Sequence, residues 1–163
     1  LPYLTLKPIG RLRIVFEKLL ATLVVCIPII LAGLLATYVI VFRGDAGQSN
    51  SLNVLWALLA SAVAGILAYS AVFLLVSLFV ARALLVGIVY ALVWESLLGR
   101  YLAGLKVASI RHYTESIFIG MAKDPDIVLK GATGVVSSWI VIVIVTVACV
   151  LFATWRLRNL NLE

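Results

Sequence analysis

Charge is what this chain has least of. Its 163 residues include 13 basic and seven acidic side chains, so 12% are charged and 64% are hydrophobic. Soluble domains carry about 25% charged and about 45–50% apolar residues. Four charge-poor apolar stretches divide the sequence, and a soluble fold of this size could not bury them. The clearest is Leu19 to Phe42, 24 residues without a charged side chain. A hydrocarbon core about 30 Å thick takes roughly 20 apolar residues in a helix. In lipid each backbone N–H and C=O must be paired within the segment, which makes the helix the natural solution. The expected class is therefore a polytopic, all-α membrane protein, one transmembrane domain over 1–163 with no separate soluble domain.

Other absences narrow the chemistry. The two cysteines, Cys26 and Cys149, fall inside apolar stretches, where a thiol packs as a small hydrophobe. No Cys/His spacing suits zinc or haem. The lone histidine, His112, has no nearby carboxylate–nucleophile set, and reads as structural or interfacial. There is no phosphate loop of the G-x-x-x-x-G-K-[ST] form, no H-E-x-x-H, no G-x-S-x-G and no pair of intramembrane carboxylates. An enzyme is not expected, and neither metal nor cofactor is expected in this chain. The net charge of +6 calls for no nucleic acid, because no basic run is interleaved with exposed aromatics. Basic residues at helix ends suit the anionic headgroups of membrane lipids instead. The first apolar run is too long for a signal peptide, and no small-residue cleavage site follows it.

Spans are expected over about 19–42, 53–79, 83–98 and 131–155. Pro28 and Gly33 lie in the first, and Pro28 removes a backbone bond and predicts a kink. RGDAGQSNS then forms a polar turn in which Asn50 or Ser51 caps the next helix. A tight turn near Arg82 separates the second span from a short third one, which is tilted, broken or re-entrant. The 100–130 segment mixes apolar residues with Lys106, Arg111, His112 and Glu115, and reads as an external interfacial or re-entrant segment. Arg111 and Glu115 stand four apart, a spacing that pairs on a helix surface. Leu1 to Lys7 reads as a short cytoplasmic helix lying on the membrane, with Tyr3 and the leucines dipping into lipid.

The distribution of Lys and Arg sets orientation. With the N-terminus cytoplasmic, seven basic residues lie inside and six outside, a small difference. Their company is more telling: Asp45, Glu115, Asp124 and Asp126 accompany the outer ones, while only Glu17 and Glu163 offset the inner ones. Both ends of the chain are then cytoplasmic.

Two stretches resemble a known family. Leu1-Pro2, Lys7-Pro8, Arg11 and Lys18 look like the cytoplasmic loop between the second and third spans of ABC transporter permeases of the export type. Where that family often has Arg before the proline this chain has Lys7, and Gly10 stands where serine is common. VYALVWESLLGRYLAGLKVASIRHYTESI is similar to the fifth span and the external segment after it, above all in Trp94-Glu95-Ser96-Leu97-Leu98 and Ser109-Ile110-Arg111-His112-Tyr113. The resemblance covers nearly the whole chain as the last four of six spans, and so implies two spans before Leu1. Its motifs are loose and hydrophobic. It implies a permease subunit in the plasma (inner) membrane of a bacterium, paired with a second permease copy or homologue. A separate cytoplasmic ATP-binding subunit would supply the phosphate loop, ATP and Mg. Leu1 to Lys7 would be the coupling helix, so Pro2, Tyr3, Leu4, Lys7 and Arg11 would meet that partner.

Glu95 is the ionisable residue of most interest, since a carboxylate in or near a membrane helix is costly. It reads as an outer-interface residue pairing with Arg100, as part of a pathway or external gate, or as a proton relay. Ala57, Ser61 and Gly65, with Ala60, Ala64 and Ala68 beside them, form a small-residue face suited to close helix packing. Trp94, Trp139 and Trp155 lie near expected span ends, as an aromatic belt requires, and Trp56 falls in the first turn of its helix. The rival reading is a structural or accessory membrane subunit of a larger complex, which the sparse polar chemistry fits equally well.

Overall fold

The computed structural model describes residues 11–42, 49–80, 82–90, 109–122 and 133–159. Among them the chain is helical, with no strand. Five helices follow one another among the described residues: α1 (Arg11–Val41), α2 (Ser49–Phe79), α3 (Ala83–Val89), α4 (Ile110–Ala122) and α5 (Val135–Asn159). Three of them, α1, α2 and α5, are long and apolar enough to cross a membrane. This is compatible with an integral membrane protein.

Helix boundaries differ from the hydropathy reading in instructive ways. α1 starts at Arg11, two turns before the charge-free stretch. Within those turns Arg13 and Glu17 pair, Nε to Oε1 at 2.7 Å, at the i,i+4 spacing that adds modest support to a helix. Pro28 lies inside α1, and the helix continues past it to Val41. α2 begins at Ser49, ahead of the expected start near Asn53. Of the expected third span, Ala83–Val89 is helix; Trp94 to Leu98 lies outside the described residues. α5 runs from Val135 to Asn159, a turn later at each end than the apolar run suggests.

α2 is the hub and touches each of the other four helices. α1 and α2 are joined by a short connection and pack antiparallel. α5 runs parallel to α2: its Ile142 packs with Ala64 and Ala68, and farther along its Arg156 guanidinium sits 5.2 Å from the Phe79 ring centre. The start of α1 and the ends of α2 and α5 therefore share one end of the bundle. Arg13, Lys18, Arg82 and Arg156 gather there, and among the described residues Glu17 is the one acid at that end. The exposed Trp155 marks the same end and the exposed Trp56 the opposite one.

Little of the long helices is buried. Val24, Val25, Ile29, Val39 and Ile40 of α1, and Val143, Ile144, Val147, Leu151 and Phe152 of α5, are all exposed. The core lies instead where α2, α4 and α5 meet, built from Ala64, Ala68, Ile110, Tyr113, Ile117 and Ile142.

Candidate functional site: a half-length helix between α2 and α5

α4 has 13 residues, about 20 Å at 1.5 Å per residue, too short to cross a bilayer. Ser109 precedes it, and the backbone N–H of His112 donates to the Ser109 carbonyl at 3.2 Å. Its apolar residues fall at helical spacing: Ile110, Tyr113 and Ile117 are buried against α2 and α5. Such a face demands small partners, and α2 supplies them. Ala64 and Ala68 are completely buried, and an added Cβ at Gly65 would lie 3.4 Å from the Thr114 methyl. Small residues let helix backbones approach closely in lipid, where dispersion replaces the hydrophobic effect as the driving force.

The direction of α4 follows from its neighbours. Its first turn shares a cavity of about 210 Å³ with Ala68 and Val72 of α2, Val141, Ile142 and Val145 of α5, and Tyr90 just beyond α3. Farther along, Glu115 and Phe118 line a shallow cavity of about 320 Å³ with Leu58, Ser61, Ala62 and Gly65. Gly120 faces Val135, the first residue of α5, so closely that a Cβ there would collide with the valine methyl. α4 thus runs antiparallel to both α2 and α5. Ala68 lies about 16 Å along α2 from Phe79, at 1.5 Å per residue. Measured from the basic end, α4 begins beside Ala68 and Val72 of α2 and ends beside Val135 at the start of α5.

Hydrogen bonds pin the middle of α4 to the residues that lead into α5. Ser116 is fully buried; its hydroxyl donates to the His112 carbonyl at 2.8 Å and accepts from the Thr133 N–H at 3.3 Å. The Thr133 and Ser138 hydroxyls lie 2.7 Å apart, and Ser138 is also fully buried. Each buried hydroxyl thereby has a partner, which avoids the cost of about 1–3 kcal/mol for an unsatisfied polar group. The outward face of α4 carries the Arg111–Glu115 pair, Nε to Oε1 at 2.6 Å. His112 turns inward, largely buried and edge-on to Tyr113, with ring centres 5.5 Å apart.

The structure distributes the sequence-derived candidates unevenly. Ala57 is completely buried, Ser61 is half-buried with its hydroxyl on the Leu58 carbonyl at 3.0 Å, and Gly65 faces Thr114. These three are brought to one side of α2. Arg11 opens α1. Pro2, Tyr3, Leu4, Lys7 and Glu95 lie outside the described residues. The Ser116–Thr133–Ser138 contacts and the Gly120–Val135 approach were not legible beforehand. The pattern that marks them is the alternation of Ile110, Tyr113 and Ile117 with His112 and Ser116 on one helix face.

No protein family, no curated protein and no solved structure matches this chain.

Proposed function

We propose that this chain is the membrane-spanning permease subunit of an ATP-driven exporter of the ABC type. It works by alternating access, in a pair and with a separate ATP-binding subunit. The family resemblance of its sequence suggests this reading, and one structural observation supports it: α4 starts beside Ala68 and Val72, part-way along the apolar helix α2. A helix that begins inside a bilayer leaves its first backbone N–H groups without intrahelical partners. Such ends are tolerated at depth only where protein encloses them or they line a water-filled cavity. Transporters use discontinuous helices of this kind to place polar groups along a path. The second short cavity, with Glu115, Thr114 and Ser61 on its wall, offers polar side chains on the outer side of the same helix.

The basic end of the bundle supports a cytoplasmic placement for the start of α1 and the end of α5, in the plasma membrane, by the excess of Lys and Arg in cytoplasmic segments. Leu1 to Lys7 then lies on the side of the ATP-binding subunit, where Pro2, Tyr3, Leu4, Lys7 and Arg11 meet it. Glu95 belongs to the opposite side, near the external gate.

Mass spectrometry of the native complex, purified in mild detergent, tests this directly. A stoichiometric partner carrying a phosphate loop is the expected result, with ATP hydrolysis reduced by Lys7→Ala or Tyr3→Ala. Partners lacking any nucleotide-binding subunit would contradict the exporter reading and place the chain among structural membrane subunits.

A further inference from the structure

Between α1 and α2 runs a groove of about 690 Å³ that α4 and α5 do not fill. Lys18, Thr22, Cys26 and Ile30 form one wall at steps of four; Gly65, Ile66, Tyr69, Phe73, Leu74 and Ser77 contribute to the other. From Lys18 to Ile30 is about 18 Å at 1.5 Å per residue. One leaflet of a core about 30 Å thick is about 15 Å.

Polarity is graded along the groove. The deep end is apolar, and two of the hydroxyls nearer its mouth are already satisfied: Thr22 donates to the Lys18 carbonyl at 3.0 Å and Ser77 to the Leu74 carbonyl at 2.7 Å. Lys18 stands at the mouth. Its neighbour Glu17 is taken by Arg13, and the Lys18 ammonium has no ion pair among the described residues. Arg13, Arg82 and Arg156 at the same end of the bundle add positive charge.

We propose that this groove holds an anionic phospholipid of the leaflet at the basic end. The phosphate rests at Lys18 and one acyl chain lies along the groove between α1 and α2. The argument is charge complementarity at the mouth together with a length that matches one leaflet. It rests on these helices crossing a bilayer and is independent of whether the chain exports anything. A lysine beside an anionic headgroup is worth about fivefold in occupancy.

The test is photolabelling of the full chain in phosphatidylcholine vesicles. A trace of phosphatidylglycerol, or of phosphatidylcholine, carries a diazirine midway along one acyl chain. The phosphatidylglycerol probe is expected to label residues 22–30 and 62–74 about fivefold more than the phosphatidylcholine probe. Lys18→Ala abolishes that preference and Lys18→Arg keeps it. Lys18 is exposed, so its replacement leaves the fold intact, and Cys26→Phe, which fills the groove, lowers labelling by both probes. Equal labelling by the two probes, or a preference unchanged by Lys18→Ala, overturns the proposal. So does a groove left unlabelled while two copies cross-link through Cys26, which would make a second copy the occupant. Export-partner findings do not move any of these readouts.

Discussion

α1 and α4 invert the rule that holds in water. α1 is 31 residues long and, beyond its first two turns, free of charge, yet most of its described side chains are exposed. α4 is 13 residues long, carries Arg111, His112 and Glu115, and buries nearly half of its residues. In water the apolar helix would be the core. In lipid an apolar side chain gains little by leaving the acyl chains for protein. Packing is decided by close approach and hydrogen bonds. α1 needs only to be apolar to be stable where it is. α4 needs particular partners: Ala64, Ala68 and Gly65 on α2, Ile142 and the Thr133–Ser138 pair around the start of α5.

That contrast predicts a steep gradient of mutational cost. The largest effect is expected at the α2–α4 seam. Ala64→Leu or Ala68→Leu adds bulk where no side chain can yield, and should cost about 3 kcal/mol, read from unfolding of the detergent-solubilised chain. Next comes Gly120→Ala, whose methyl meets Val135; a loss of about 2 kcal/mol is expected, and Val135→Ala in the same chain should restore most of it. Absence of that rescue would mean that the two helices are not in contact at Gly120. Ser116→Ala leaves the Thr133 N–H without its acceptor and should cost about 1 kcal/mol. Smallest is the outward ion pair: Glu115→Gln should change stability by less than about 0.5 kcal/mol, because both side chains are substantially exposed. On α1, Val25→Ala belongs with this last group. A cost at Val25 as large as at Ala64 would erase the contrast.

Much of the bundle was legible in the sequence. Uncharged length marks the three long helices, since a bilayer imposes that length on any helix that crosses it. On α2 Ala57 is buried, Ser61 is half-buried and Gly65 lies against the Thr114 methyl. What covers α4 was not legible. Its pattern, with Ile110, Tyr113 and Ile117 on one face and Arg111 and Glu115 on another, is the pattern of a helix lying on a membrane surface. The same pattern serves a helix that turns its apolar face to protein. Amphipathicity records that a face is apolar, without recording what covers it. Nor does a hydropathy run register the hydrogen bonds of Ser116, Thr133 and Ser138, whose meaning depends on two segments coming together.

The most direct test is the depth of α4. Spin labels at positions 111, 114, 118 and 120, introduced one at a time after Cys26 and Cys149 are replaced by serine, would be read for depth by power saturation in vesicles. An inserted helix predicts depth falling steadily toward the surface along α4, by about 1.5 Å per residue, with position 111 near the middle of the bilayer and position 120 near its face. Equal, shallow depths from 111 to 120 would show a helix lying flat on the membrane and would contradict the account.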